Sequence, residues 1–161
     1  MNKSILSGRI CTFPKIHILQ SADDVINLCT FVISVEKELG DNRENVDPYE
    51  FFECFCMGDA AKQIVSTYTK HSKVIISGKL KNFRFEDTMN AKHFTNIVAV
   101  EYIEYGDTKS FIDNSGSKKS SVEKVVTAEY DKIDTMFAKA CSNGFSMIDE
   151  ADYYRLAMNL L

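Results

Sequence analysis

Tyr49-Glu50-Phe51-Phe52-Glu53-Cys54-Phe55-Cys56-Met57-Gly58-Asp59-Ala60-Ala61-Lys62-Gln63-Ile64-Val65-Ser66-Thr67-Tyr68 changes its period halfway along. Tyr49–Met57 is dense in aromatic residues. Alternation along a strand puts Phe51, Glu53, Phe55 and Met57 on one face and Phe52, Cys54 and Cys56 on the other. The cysteine-bearing face reads as core, and the Phe51/Met57 face is a candidate binding surface in which Glu53 is the discordant residue. From Asp59 the apolar residues Ala60, Ala61, Ile64, Val65 and Tyr68 recur at helical spacing, with Asp59 placed to cap the first turn. A strand that feeds directly into one short helix is the pivot for everything around it.

Outward from that pivot the chain is extended on both sides. Ser4–Phe13 and Lys15–Leu19 read as extended with an interruption at Pro14, and Val25–Val35 is rich in β-branched and aromatic residues. An acidic, polar loop over 38–48 precedes Tyr49. After the helix, Lys73–Phe85 and His93–Tyr105 are strands joined through a polar tip at 86–90. Five strands with one helix between the third and fourth is the connectivity of an OB-fold barrel, and mainly β is the expected class. Ser/Gly/Lys-rich residues 110–121 have linker composition. Beyond them Val122, Val126, Tyr130, Ile133, Phe137 and Ala140 step down one face of a helix that Ser120-x-x-Glu123 fits as a capping box and Gly144 ends. Asp149–Leu161 reads as a further short helix. The expected organisation is a barrel over 1–109, a linker over 110–121 and a helical tail over 122–161.

The 161 residues carry 19 Lys+Arg against 23 Asp+Glu, a net charge of -4, which argues against a polyanion as partner if the charge is spread evenly. It is not spread evenly. Lys62–His93 holds seven basic residues and two acids, a local charge of +5. Within it alternation places Lys79, Lys81, Phe83 and Phe85 on one face of a strand, with Leu80, Asn82 and Arg84 on the other. Cations beside aromatic rings suit a single nucleic-acid strand, because the cations attract phosphates and the rings stack on unpaired bases of any sequence.

Other chemistries find little support. His17, His71 and His93 have no nucleophile motif near them, the glycines form no phosphate loop, and no metal-ligand spacing is present. An enzyme, a metal and a cofactor are therefore not expected. The five cysteines form no C-x-x-C pair and read as free thiols, mostly buried. No apolar run reaches the roughly 18 residues of a membrane span, and the start breaks its apolar character at Gly8-Arg9 without a signal-peptide core, so a cytoplasmic location is the expectation.

Three stretches together carry a family resemblance: Met1-Asn2-Lys3-Ser4-Ile5-Leu6-Ser7-Gly8-Arg9-Ile10, then Phe51–Gly58 leading into Ala60–Tyr68, then Val74-Ile75-Ile76-Ser77-Gly78-Lys79-Leu80. In this order and spacing, residues 1–105 resemble the bacterial-type single-stranded DNA-binding proteins. These are homo-oligomeric OB-fold proteins that coat exposed strands during DNA replication, recombination and repair. The resemblance implies base stacking at Phe51 and Phe85, with Met57 where the family often has an aromatic ring. It also implies phosphate contacts at Lys3, Arg9, Lys73, Lys79, Lys81 and Arg84. With Phe83 these residues make up the expected nucleic-acid surface. The chain has no Trp, so weaker stacking is expected than in a Trp-bearing relative. The family's tail is long, flexible and ends in an acidic tip, whereas this one reads as helical and ends Asn159-Leu160-Leu161.

The expected function is binding and protection of single-stranded DNA with little sequence preference, by a homodimer or homotetramer, with replication or repair proteins as possible partners of the tail. Two rivals are a replication or primosome accessory factor acting mainly through protein contacts, and a protein-interaction module that binds no nucleic acid.

Overall fold

The computed structural model describes residues 1–38, 47–86, 89–106 and 119–160. Most of the acidic loop, part of the 86–90 tip and most of the linker lie outside these residues, as do the side chains of Phe85, His93 and the capping-box residues. Six strands and three helices follow one another as β1 (Ser4–Ile10), β2 (Lys15–Gln20), β3 (Val25–Glu36), β4 (Tyr49–Met57), α1 (Asp59–Thr67), β5 (Lys73–Glu86), β6 (Lys92–Tyr105), α2 (Lys119–Ser142) and α3 (Glu150–Leu160).

The expectation of five strands with a helix between the third and fourth is corrected here: the described residues form six, and α1 follows the fourth. The difference arises at Pro14. Proline lacks the N–H that a ladder needs, and the chain leaves the ladder over residues 11–14. On one side of that break β1 pairs with β5 over Ser4–Arg9 and with the end of β3 at Arg9 and Ile10. On the other side β2 lies along Val25–Thr30 of the same β3.

The sheet order is β1-β5-β6-β4-β3-β2, and the β1–β3 pairing closes the first five strands into a ring with β2 on the edge of β3. All ladders are antiparallel except β4 with β6. Closure demands close backbone approach. A Cβ on Gly8 would run into the Ser34 carbonyl, and one on Gly78 into the Ala99 carbonyl beside the irregularity at Ser77/Gly78.

Inside the ring lies an apolar cluster of Ile10, Cys29, Phe31, Ile33, Cys54, Cys56, Val74, Ile76 and Val98. Ala61 and Ile64 of α1 join it, so the helix plugs the ring with the face that its periodicity indicates. Asp59 does not cap α1. Gly58 holds the N-cap position at a φ of 75°, which glycine tolerates, and Asp59 sits in the first turn where its charge favours the helix dipole. Burial raises the Cys54 and Cys56 thiols well above the usual range, with a hydrogen bond to Cys29 the larger cause at Cys56.

α2 and α3 lie on the outer face of the sheet. Ile133 of α2 is buried with Cys11 and Val32, and Ile148, Tyr153 and Leu156 are buried with Leu28, Phe55, Phe83 and Ile97. Ser142 is followed by a turn at Gly144, whose φ of 106° is again glycine territory.

Candidate nucleic-acid interface

Strand register builds the outer face row by row, because residues directly opposite one another point the same way. Lys79 stands opposite Ala99, Ala99 opposite Phe55, and Phe55 opposite Thr30. The next row runs Lys81, Ile97, Glu53, Val32. One row further along, Phe83 stands opposite Thr95 and Phe51 opposite Ser34. The two alternations read from the sequence, one in β4 and one in β5, therefore meet on a single surface with the lysines along one side and the aromatic rings beside them.

The exposure of that surface is uneven. Lys79 is exposed and its Nζ lies 3.1 Å from Glu101 Oε1, whereas Lys81 is half-buried. Phe83 is only 2% exposed, because Ile148, Tyr153 and Leu156 pack on it. Met57 is half-buried against the same cluster. Phe51 is half-buried under the tail, its ring centroid 5.2 Å from that of Phe137 and 6.3 Å from that of Phe145. Phe85 stands opposite His93 in the β5–β6 ladder.

The remaining basic positions divide in two. Lys3 is exposed, just beyond Asn2, whose carboxamide donates to the Leu80 carbonyl at 2.8 Å and accepts the Leu80 N–H at 3.0 Å. Lys73 is half-buried at the start of β5. Arg84 is exposed on the opposite side of β5 from Phe83, its guanidinium 4.5 Å from the ring centroid of Phe94. Arg9 is engaged by the tail: its Nε and a terminal nitrogen reach the Glu129 carboxylate at 3.2 and 3.3 Å, and the guanidinium lies over the Tyr130 ring.

Two features escape the sequence reading. Phe94 is 66% exposed and pairs with Arg84 across the β5–β6 ladder, so the alternation already applied to β5 identifies it once it is extended to β6. The other is the matching of tail acids to sheet cations. His71 stacks on Tyr130 and donates from Nε2 toward Asp134 at 3.1 Å, and Lys70 reaches the same carboxylate at 3.4 Å. No spacing rule signals a pairing between residues so distant in sequence.

Glu53, the discordant carboxylate of the outer face, is 5% exposed and accepts the backbone N–H of Ile148 on both oxygens, at 3.1 and 3.2 Å. Burial pushes its pKa up to about 7, and the Ile148 hydrogen bond opposes this only partly. Among the described residues no cluster of three or more His, Cys, Asp or Glu is arranged to hold a metal ion.

The sequence matches the model of the Single-strand binding protein family over residues 1–105. It is also similar to a single-stranded DNA-binding protein of Fusobacterium nucleatum subsp. nucleatum, with 25% identity over 122 residues that cover 75% of each chain.

Proposed function

The chain belongs to the single-strand binding protein family, and from that premise we propose that it binds and protects single-stranded DNA, with little sequence preference, in replication, recombination and repair. The observation that carries the reading is the row Lys79–Ala99–Phe55–Thr30, in which the register of four strands sets cations beside aromatic side chains on one surface. Backbone phosphates meet Lys3, Arg9, Lys73, Lys79, Lys81 and Arg84, and bases meet Phe51, Met57, Phe83 and Phe85. Nothing in that set performs catalysis, and it needs no cofactor. Sequence-tolerant binding follows because every base offers a π-face and every nucleotide a phosphate.

The ring of strands is an OB-fold-type barrel in this reading, with β1 and β2 as the two halves of its broken first strand. The unit over 1–109 binds the DNA, the linker read over 110–121 already runs into the first turn of α2 at Lys119, and the helical tail follows. The protein acts in the cytoplasm. Among the described residues no helix is long and apolar enough to cross a membrane.

The protein acts as a homodimer or homotetramer. Ile5, Ser77 and Tyr102 form one outward row across β1, β5 and β6, with Ile5 67% and Tyr102 57% exposed, an apolar patch suited to a second copy. Light scattering of the intact chain and of Ile5→Glu tests this, with a smaller assembly expected for the variant.

Fluorescence anisotropy with a dT oligonucleotide of about 35 nucleotides tests the main reading. Binding whose logarithm falls linearly with the logarithm of salt concentration is expected, since each neutralised phosphate releases counterions. Absence of binding at low salt overturns it.

A further inference from the structure

We propose that the cavity between α2, α3 and the sheet is a binding site for a guanine mononucleotide, with the edge of the base on Glu53 and the phosphate at Lys15 and Lys70. The inference stands apart from the strand-binding reading, since it involves neither Lys79 nor Phe83 and needs no strand.

The first ground is the cavity itself. Its volume of about 380 Å³ falls within the roughly 300–1,000 Å³ usual for small-molecule sites. Glu53 of the sheet, Phe137 of α2 and Tyr153 of α3 all line it. Phe13 and Met147 line it as well and are 63% and 46% exposed, so the cavity reaches solvent beside them. Rings on three sides suit a flat ligand with an apolar face.

The second ground is the carboxyl group of Glu53. It is 5% exposed and, among the described residues, its two oxygens share one donor, the Ile148 N–H. An ionised carboxylate has about four acceptor positions. Burial with so few donors pushes its pKa up to about 7. A ligand that brings two adjacent N–H groups satisfies the carboxylate and keeps it ionised. Guanine has that pattern on its Watson–Crick edge, where N1–H lies beside the N2 amino group. Adenine and cytosine set an amino group beside a bare ring nitrogen, whose lone pair would face a carboxylate oxygen.

The third ground is the charge around the cavity. A buried carboxylate attracts cationic ligands too, but Lys15 and Lys70 also line this cavity and repel them. Asp134, the second acid of the lining, is already engaged by Lys70 at 3.4 Å and by His71 at 3.1 Å. An ammonium carries three donors, so Lys70 can meet a phosphate without leaving Asp134. Lys15 is exposed. The matching ligand therefore has paired donors at one end, negative charge at the other and a flat ring between.

Isothermal titration calorimetry of the full-length chain tests the site at pH 8, where the Glu53 carboxyl is mostly ionised. GMP should bind. IMP lacks the N2 amino group and should bind at least about tenfold more weakly, since it leaves a buried charged acceptor short of a donor. AMP should bind more weakly still. Guanosine should fall below GMP, and that gap should close in Lys15→Ala. Glu53→Gln keeps the shape of the side chain but turns an amide toward the base, and it should bring GMP down to the level of IMP. If Glu53→Gln loses its fold by circular dichroism, the IMP comparison and Lys15→Ala carry the test. Absence of GMP binding, equal affinity for GMP, IMP and AMP, or full GMP affinity in folded Glu53→Gln overturns the site and leaves the dT titration to judge strand binding separately. One central guanine in a dT oligonucleotide should not change its affinity. Tighter binding of that oligonucleotide by the wild type and not by Glu53→Gln would overturn the mononucleotide assignment and give the guanine to a strand.

Discussion

The inner face of the sheet is closed by its own backbone, and the outer face by side chains that arrive from α2 and α3. Within the ring, ladders close the sides, glycines allow the closest approaches, and Ala61 and Ile64 of α1 pack into the core. Its lining is uniformly apolar, and three of the five cysteines sit there as inert thiols. On the outside the same strands present Thr30, Glu53, Lys79 and Lys81 among their apolar residues, a mixed surface that no protein buries cheaply. The helical segment covers the part of it around Glu53, Phe55 and Phe83, supplying a backbone donor to Glu53 and a carboxylate to Arg9 at its border, and leaves Lys79 exposed. The two faces thus differ in how reversibly they are covered. One face is the fold, and the other is a surface with something on it.

Matched deletions in the two faces give the largest expected effects. Ile76 is fully buried in the ring and Ile133 is buried beneath α2, so Ile→Ala at either site costs about 2–5 kcal/mol of local packing. In Ile76→Ala the loss lowers the urea midpoint of the whole chain. In Ile133→Ala it falls on the attachment of α2. Thiol labelling separates the two outcomes. Exposed Cys141 reacts in every form. Cys11, packed against Ile133, has its thiol pushed up to about 12 by burial and stays unreactive while the helix is seated. Ile133→Ala should make Cys11 reactive while Cys29, Cys54 and Cys56 remain protected. Simultaneous exposure of all four would erase the distinction between the faces.

The two faces also differ in how far the sequence reveals them. The inner one is legible from alternation, because Cys54 and Cys56 on one side of β4 and the Ala61/Ile64 stripe of α1 need only local periods to be placed. The break at Pro14 is visible in the sequence, but its consequence is not. Whether the halves of a broken strand share a partner or take different ones depends on how the sheet closes. The candidate surface is legible as a set of residues, since strand register joins Lys79, Lys81 and Phe83 to the Phe51/Met57 face. Its cover is not legible. Pairings such as Arg9 with Glu129 link residues 120 positions apart, and the stripe on α2 indicates that the helix packs somewhere without naming its partner.

A pH titration sharpens the comparison with a smaller effect. Glu53 is the acid enclosed by the cover, and burial raises its pKa from 4.5 to about 7 while the helices are seated. Lys15, Lys70, Asp134 and Tyr153 line the same cavity of about 380 Å³ and share its field. A carboxyl whose pKa is raised in the closed state takes up a proton on closing. Its contribution to closure is therefore complete below about 4.5 and is lost as the pH climbs through about 7. Amide protection of 150–158, corrected for intrinsic exchange, should fall between about pH 4.5 and pH 7 and level off above that, and Glu53→Gln should remove the part of that fall due to Glu53. Protection of the ring strands should not change over the same interval.

The smallest effect belongs to a residue that the cover does not reach. Arg84 projects from the side of β5 opposite Phe83 and contacts the exposed ring of Phe94, so it meets solvent whether or not the helices are seated. An exposed cation–π pair contributes on the order of 0.5–1 kcal/mol, and its loss leaves no cavity, so Arg84→Ala should leave the stability of the chain nearly unchanged. If the arginine meets a phosphate, the variant binds dT a few-fold more weakly and its salt dependence becomes shallower by roughly 0.7 in the log–log slope. That loss should be the same in the wild-type background and in Leu156→Asp, which puts a charge beneath α3, because the contact lies outside the cover. A loss found only in Leu156→Asp would place Arg84 on the covered surface after all, and the division between covered and uncovered contacts would have to be redrawn through β5.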